Sequence, residues 1–196
     1  LFFDEKALFT VALTTWHYHA IPYFILLGVL AGVNSVYLTK TVLFFKSKFS
    51  KLKTQFHKIL IGSAILRVGL LVLPQLYGDG YHAIKEIFAN STPAITLTWF
   101  ATLIGIIVLK PILTSATLAA GGDGGVFAPS LFIGAFLGLF VASILNTYFH
   151  SNVIPINFMI IGMAAVLSSS IHAPFTAIFL VCGLTNDYTL FLPILV

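Results

Sequence analysis

Charge is what this sequence has least of. Its 196 residues include ten basic and six acidic ones, 8% of the chain, where a water-facing domain carries about 25%. A chain so poor in charge and 59% hydrophobic cannot cover itself for water; its natural solvent is lipid. Cysteine is nearly absent: Cys182 stands alone, which excludes an intrachain disulfide and a cysteine-based metal cluster. His17, His19, His57 and His82 lack acidic partners at metal-ligand spacing, so neither a metal nor another cofactor is expected. No repeat with a period of about 20–50 residues is found. No charged segment followed by a small-residue cleavage site opens the chain, so no signal peptide is expected. It begins at Leu1 and stops within the apolar run Phe191–Val196, as an internal piece of a longer protein would.

What is there reads as a series of apolar helices. Residues 1–19 mix charge and aromatics (Asp4, Glu5, Lys6, Trp16) and suit the end of one span and an outer loop. A helix is expected from Ala20 to about Phe45, with Pro22 near its start. It continues into Lys46, Lys48, Lys51, Lys53 and Lys58, which have no acidic neighbours. At the foot of an apolar span such lysines mark the cytoplasmic end; the alternative is a nucleic-acid or lipid patch, and no nucleic-acid partner is expected. Ile59 to Leu73 is the next span, closed by Pro74 and followed by the turn Tyr77–Tyr81 and a short helix over 82–90. Ala94 to Ala119 is a long span containing Lys110-Pro111, and Val126 to Tyr148 another. Val153 to Thr185 is too long for one upright helix, and His172-Ala-Pro174 divides it into helices ending near 171 and starting near 174. A last helix begins at about Thr189.

The segment that carries chemistry is Gly121-Gly-Asp-Gly-Gly-Val-Phe-Ala-Pro129, which leads straight into a helical span. Glycines let the backbone turn and approach a ligand closely, and Pro129 fits a first helical turn. The N–H groups of Val126, Phe127 and Ala128 then have no intrahelical partner. In lipid such donors must find one, and an anion at the positive end of the helix satisfies them. Partial charges also hold a halide without trapping it, which conduction requires. The competing reading is a plain glycine hinge between packed helices. Arg67 and Lys110 lie within apolar runs, where charge is costly and suggests function. They either raise the potential along an anion path or snorkel to an interface. Ser168 and His172, four residues apart, raise an intramembrane serine hydrolase, but nothing supplies an oxyanion hole, and small residues at a helix contact are the plainer reading.

These residues resemble the CLC family of chloride channels and proton/chloride antiporters. Gly125-Val-Phe-Ala-Pro129 within the glycine loop looks like that family's GGxFxP signature. The likeness continues through Gly162 to Pro174, Leu184-Thr-Asn-Asp-Tyr188 and Leu192-Pro193, and upstream through Gly78-Asp-Gly-Tyr81 and the span with Gly28 and Gly32. It implies an all-α polytopic membrane fold of broken and tilted helices in two inverted repeats. Residues 20–196 would be the second repeat, cut at its C-terminal end, running from about helix J to helix Q. The amides of Val126 and Phe127 would bind chloride, with Gly124, Gly125, Ala128 and Pro129 holding the loop. Phe175, Ile178, Phe179 and Leu192 would face the partner of a homodimer in the lipid bilayer.

The resemblance further implies chloride as the substrate, protons as a second one if the protein is an antiporter, no cofactor, no catalysis, and a multi-pass protein of a prokaryotic plasma membrane. The family's pore serine, gating glutamate, internal proton-transfer glutamate and pore tyrosine fall outside this chain. Two positions depart from the pattern. Cys182-Gly183 stands where many members carry an acidic residue, and Asp123 lies beside the anion loop, where a carboxylate repels chloride unless neutralised or turned away. A structural membrane subunit without flux is the alternative of another class.

Overall fold

A computed structural model of the chain describes residues 18–77, 84, 87, 96–186 and 188–195. Residues 1–17 of the expected span end and outer loop over 1–19, and most of the short helix over 82–90, lie outside the described residues. A 3-10 turn, Tyr18–Ala20, leads into α1, Ile21–Ser50, which has Pro22 in its first turn. α2 spans Gln55–Val72 and stops at Leu73, because Pro74 disfavours helix in the residue before it; a second 3-10 turn, Pro74–Leu76, follows. α3 is Leu97–Ala120, α4 Phe127–Tyr148, α5 Pro155–Ile171, α6 Pro174–Thr185 and α7 Phe191–Leu195. Among the described residues the regular structure is entirely helical.

Four of these helices, α1 to α4, are long and apolar enough to cross a membrane. At 1.5 Å per residue α1 is ~45 Å long against a hydrocarbon core of ~30 Å, so its lysine-bearing end projects beyond the core. α2 begins at Gln55, four residues before the expected Ile59, because nothing in Gln55–Lys58 breaks the helix. The expected division of residues 153–185 is observed at His172-Ala173. His172 takes the left-handed conformation, φ 54°, and ends α5. α5 and α6 are ~26 and ~18 Å long, too short to cross alone.

The exposed residues report the solvent. On α1 and α2, Ile25, Val29, Val33, Leu43, Ile59, Val68 and Leu71 all face outward. Water would not tolerate so continuous an apolar exterior, and hydrocarbon does; the chain is an integral membrane protein. α4 lies at the centre, with residues 130–139 buried without interruption.

Glycine decides how closely the central helices meet. A Cβ at Gly134 would fall on the backbone oxygen of Gly162, and one at Gly138 on that of Phe158. α4 and α5 are thus in backbone contact, the close approach small residues permit. α2 and α3 run antiparallel: Gly62 lies against Ala120 at one end, and Leu73 against Gly105 at the other. That arrangement puts the α1–α2 turn and the glycine loop at the same end of the bundle.

Candidate functional site

The glycine loop is built from its two flanking helices. α3 ends in Gly121, at φ 95°. The Gly122 N–H donates to Thr117 O at 3.0 Å and the Gly121 N–H to Leu118 O at 3.3 Å. This paired cap satisfies carbonyls the helix leaves open. Of the loop's glycines only Gly121 has a positive φ, so the others are not there for left-handed backbone. Gly122 is held by space: a Cβ would lie 2.7 Å from Thr117 Cγ2. Around Gly124 and Gly125 there is room, and a Cβ on Gly125 would sit 3.9 Å from the Phe127 nitrogen. The openness at Gly125 is therefore directly in front of the helix start.

α4 begins at Phe127, with Val126 preceding it. The first intrahelical bond runs from the Ser130 N–H to Val126 O, 2.9 Å. The amides of Val126, Phe127 and Ala128 thus lie ahead of the ladder, and the next residue, Pro129, has no N–H. Among the described residues no side chain caps this end, and no acid occupies its first turn. Three N–H groups and the positive end of a 22-residue helix converge on one place, an arrangement suited to a small anion. Asp123 is exposed in the loop two residues before Gly125.

Two further residues at the site were not singled out from the sequence. Gln55 Nε2 donates to Ala120 O at 2.9 Å and braces the loop from α2; a Cβ on Gly121 would collide with it at 2.6 Å. Ser130, in the first turn of α4, is fully buried, and among the described residues its hydroxyl has no hydrogen-bond partner. For Ser130 a polar residue in an apolar helix start was the only hint, and for Gln55 there was none.

Lys110 and Arg67 are treated differently by the fold. Lys110 is 4% exposed. Its Nζ donates to Leu76 O at 3.1 Å and lies 4.6 Å from the centre of the Phe132 ring, a cation–π contact. These contacts join the Pro74–Leu76 turn, α3 and α4, about one and a half turns along α4 from Phe127. Arg67 is exposed on α2, five residues from its end at Val72, within snorkelling distance of that interface.

The Ser168–His172 pair does not form as a helix-face pair. The helix stops at Ile171, and His172 turns to φ 54° and is exposed. Ser169 and Ser170 hydroxyls donate to Ala165 O and Ser35 Oγ, bonds of helix packing. On α6 and α7, Phe175 (64%), Phe179 (57%) and Leu192 (65%) are exposed, whereas Ile178 is 3% exposed and packs inward. Only three of the four residues expected at a subunit interface are thus presented outward, because Ile178 projects to the side of α6 that packs against the rest of the protein.

The family model described as "Voltage gated chloride channel" matches residues 1–196. The chain is 30% identical over 191 residues to the voltage-gated ClC-type chloride channel ClcB of Salmonella typhimurium, covering 95% of this chain and 44% of that protein. It is 35% identical over 179 residues to the H(+)/Cl(-) exchange transporter ClcA of Vibrio campbellii, covering 88% and 37%. The crystal structure of a slow cyanobacterial Cl-/H+ antiporter superposes with a TM-score of 0.78 at 25% identity, covering 98% of this chain and 45% of that one. The chain spans less than half the length of each of these proteins. They are named as a channel, an exchange transporter and an antiporter, not as enzymes.

Proposed function

The chain belongs to the voltage-gated chloride channel family, and from that premise we propose that it forms part of a chloride pathway across a membrane. The anion is held by the amides of Val126 and Phe127, with Gly124, Gly125, Ala128 and Pro129 shaping the approach. One observation carries this reading. α4 starts at Phe127 immediately behind a glycine loop, with its first amides ahead of the hydrogen-bonded ladder and open space at Gly125.

The rest of the pathway comes from the length that the relatives have and this chain lacks. Residues 20–196 then act as the second of two inverted repeats. The lysine-rich turn faces the cytoplasm, by its charge, and the membrane is the plasma membrane of a prokaryote, as the bacterial relatives suggest. The exposed ring of Phe175, Phe179 and Leu192 supports a homodimer contact. Proton exchange is the second reading, favoured by the names of the Vibrio relative and the cyanobacterial neighbour.

The test is chloride efflux from liposomes containing the full-length polypeptide, with chloride affinity measured by calorimetry. Gly125→Leu fills the space before the Phe127 amide and is expected to weaken binding by about tenfold, ~1.4 kcal/mol, while the protein stays folded. Wild-type affinity in that variant would remove the amide site. Proton movement opposite to chloride in the same vesicles selects exchange over passive conduction.

A further inference from the structure

A groove that the chloride reading does not use opens between α1 and the end of α5. Its volume is about 460 Å³, and Gly32, Ser35, Val36, Lys40, Ser169 and His172 line it. Two cation-forming side chains, Lys40 and His172, thus share one concavity with hydroxyl groups. It is far larger than a halide needs.

The groove continues along α1. Gly28, Gly32, Val36 and Lys40 are four residues apart and lie on one helix face. A Cβ at Gly28 or Gly32 would meet nothing within 4 Å, so beyond the groove the two glycines leave this face of α1 open. The side chains beside it are apolar and outward-facing, with Val29, Val33 and Val36 all more than half exposed. In the other direction the same face runs through Phe44 to Lys48, whose Nζ lies 5.4 Å from the Phe44 ring centre. The concavity therefore sits where the apolar stretch of α1 gives way to its lysines, the depth of a phospholipid headgroup.

Among the described residues neither Lys40 nor His172 has an acidic partner. No aspartate or glutamate occurs between Glu5 and Asp79. A phosphate would supply the counter-charge, since both Lys and His donate hydrogen bonds to phosphate oxygens.

We propose that this groove binds one anionic phospholipid, with the phosphate at Lys40 and His172 and an acyl chain along Gly28, Gly32 and Val36. The open apolar face of α1 beside the groove distinguishes a lipid from free phosphate, and the concavity distinguishes a site from the general attraction of a basic surface for an anionic leaflet. The inference stands on the groove alone and is independent of the chloride site.

The experiment uses the full-length polypeptide, purified from a bilayer of equal phosphatidylglycerol and phosphatidylcholine, with retained lipid counted by native mass spectrometry. Phosphatidylglycerol is expected to be retained preferentially. Lys40→Gln should lower that preference about fivefold, the effect of one charge near a headgroup, and Lys40→Arg should keep it. Lys53→Gln, on the exposed turn, should leave it unchanged. Gly32→Leu projects into open space, so the protein folds, and it should reduce retention of both lipids. Equal retention of the two lipids by the wild type overturns the proposal. So does a Lys53→Gln loss as large as that of Lys40→Gln, which marks a diffuse basic surface. Displacement of the lipid by millimolar inorganic phosphate also overturns it, and assigns the groove to a soluble anion.

Discussion

Gln55 at the start of α2 donates its side-chain amide to the backbone oxygen of Ala120, 2.9 Å away and 65 residues later in the chain. This bond ties the lysine-rich turn to the last residue of α3, immediately before the loop that delivers the first amides of α4. Gln55→Leu leaves that carbonyl without its partner, at a cost of about 1 kcal/mol. It also loosens Gly121, so chloride affinity is expected to fall by a few fold while helical content holds. Calorimetry and circular dichroism on the same preparation check both parts.

Asp123 is exposed in the loop and precedes the open glycine by two residues. Its carboxylate opposes an anion approaching the amides. Asp123→Asn is expected to raise chloride affinity by about twofold at low ionic strength, with the gain fading at high salt as screening shortens the reach of the charge. The check is a titration of both proteins at two concentrations of an inert electrolyte.

Lys110 is a strut in this fold. Lys110→Met keeps most of the side-chain volume but abandons Leu76 O and the Phe132 ring. Stability is expected to drop by about 1–3 kcal/mol, the cost of a buried acceptor left unmade. Chloride affinity in the surviving folded protein should change little. A thermal melt in detergent beside a binding isotherm separates this from a role in attracting the anion, which would lower affinity instead.

Glycines in these helices are not equivalent. Gly138→Ala drives a methyl group into the backbone of Phe158, and overpacking of this kind costs about 1–3 kcal/mol or more when the backbone must shift. Gly28→Ala points into open space and should instead stabilise by about 0.5–1 kcal/mol, as alanine does in a helix interior. Opposite shifts in melting temperature for the two variants are the expected result, and equal shifts would contradict the α4–α5 contact.

The sequence by itself determined the solvent, the helices and the place of an open helix start. Scarce charge selects lipid, and apolar runs bounded by glycine and proline become helices with ends near the expected residues. Gly121 to Pro129 fixes a helix start with open amides. These are local matters, governed by the transfer of each residue into hydrocarbon and by the dihedral freedom of glycine and proline, so neighbouring residues suffice to read them. The tertiary structure alone decided what distant residues do to one another. It placed Gln55 under the loop, gave Lys110 its partners and left Gly122, Gly134 and Gly138 no room for a side chain. It turned Ile178 inward and moved His172 off the helix face it would have shared with Ser168. Each depends on which helix lies against which, and an apolar helix offers lipid and protein nearly the same surface on every side. Its facing is therefore set by the fit of its neighbours, which its own sequence does not contain.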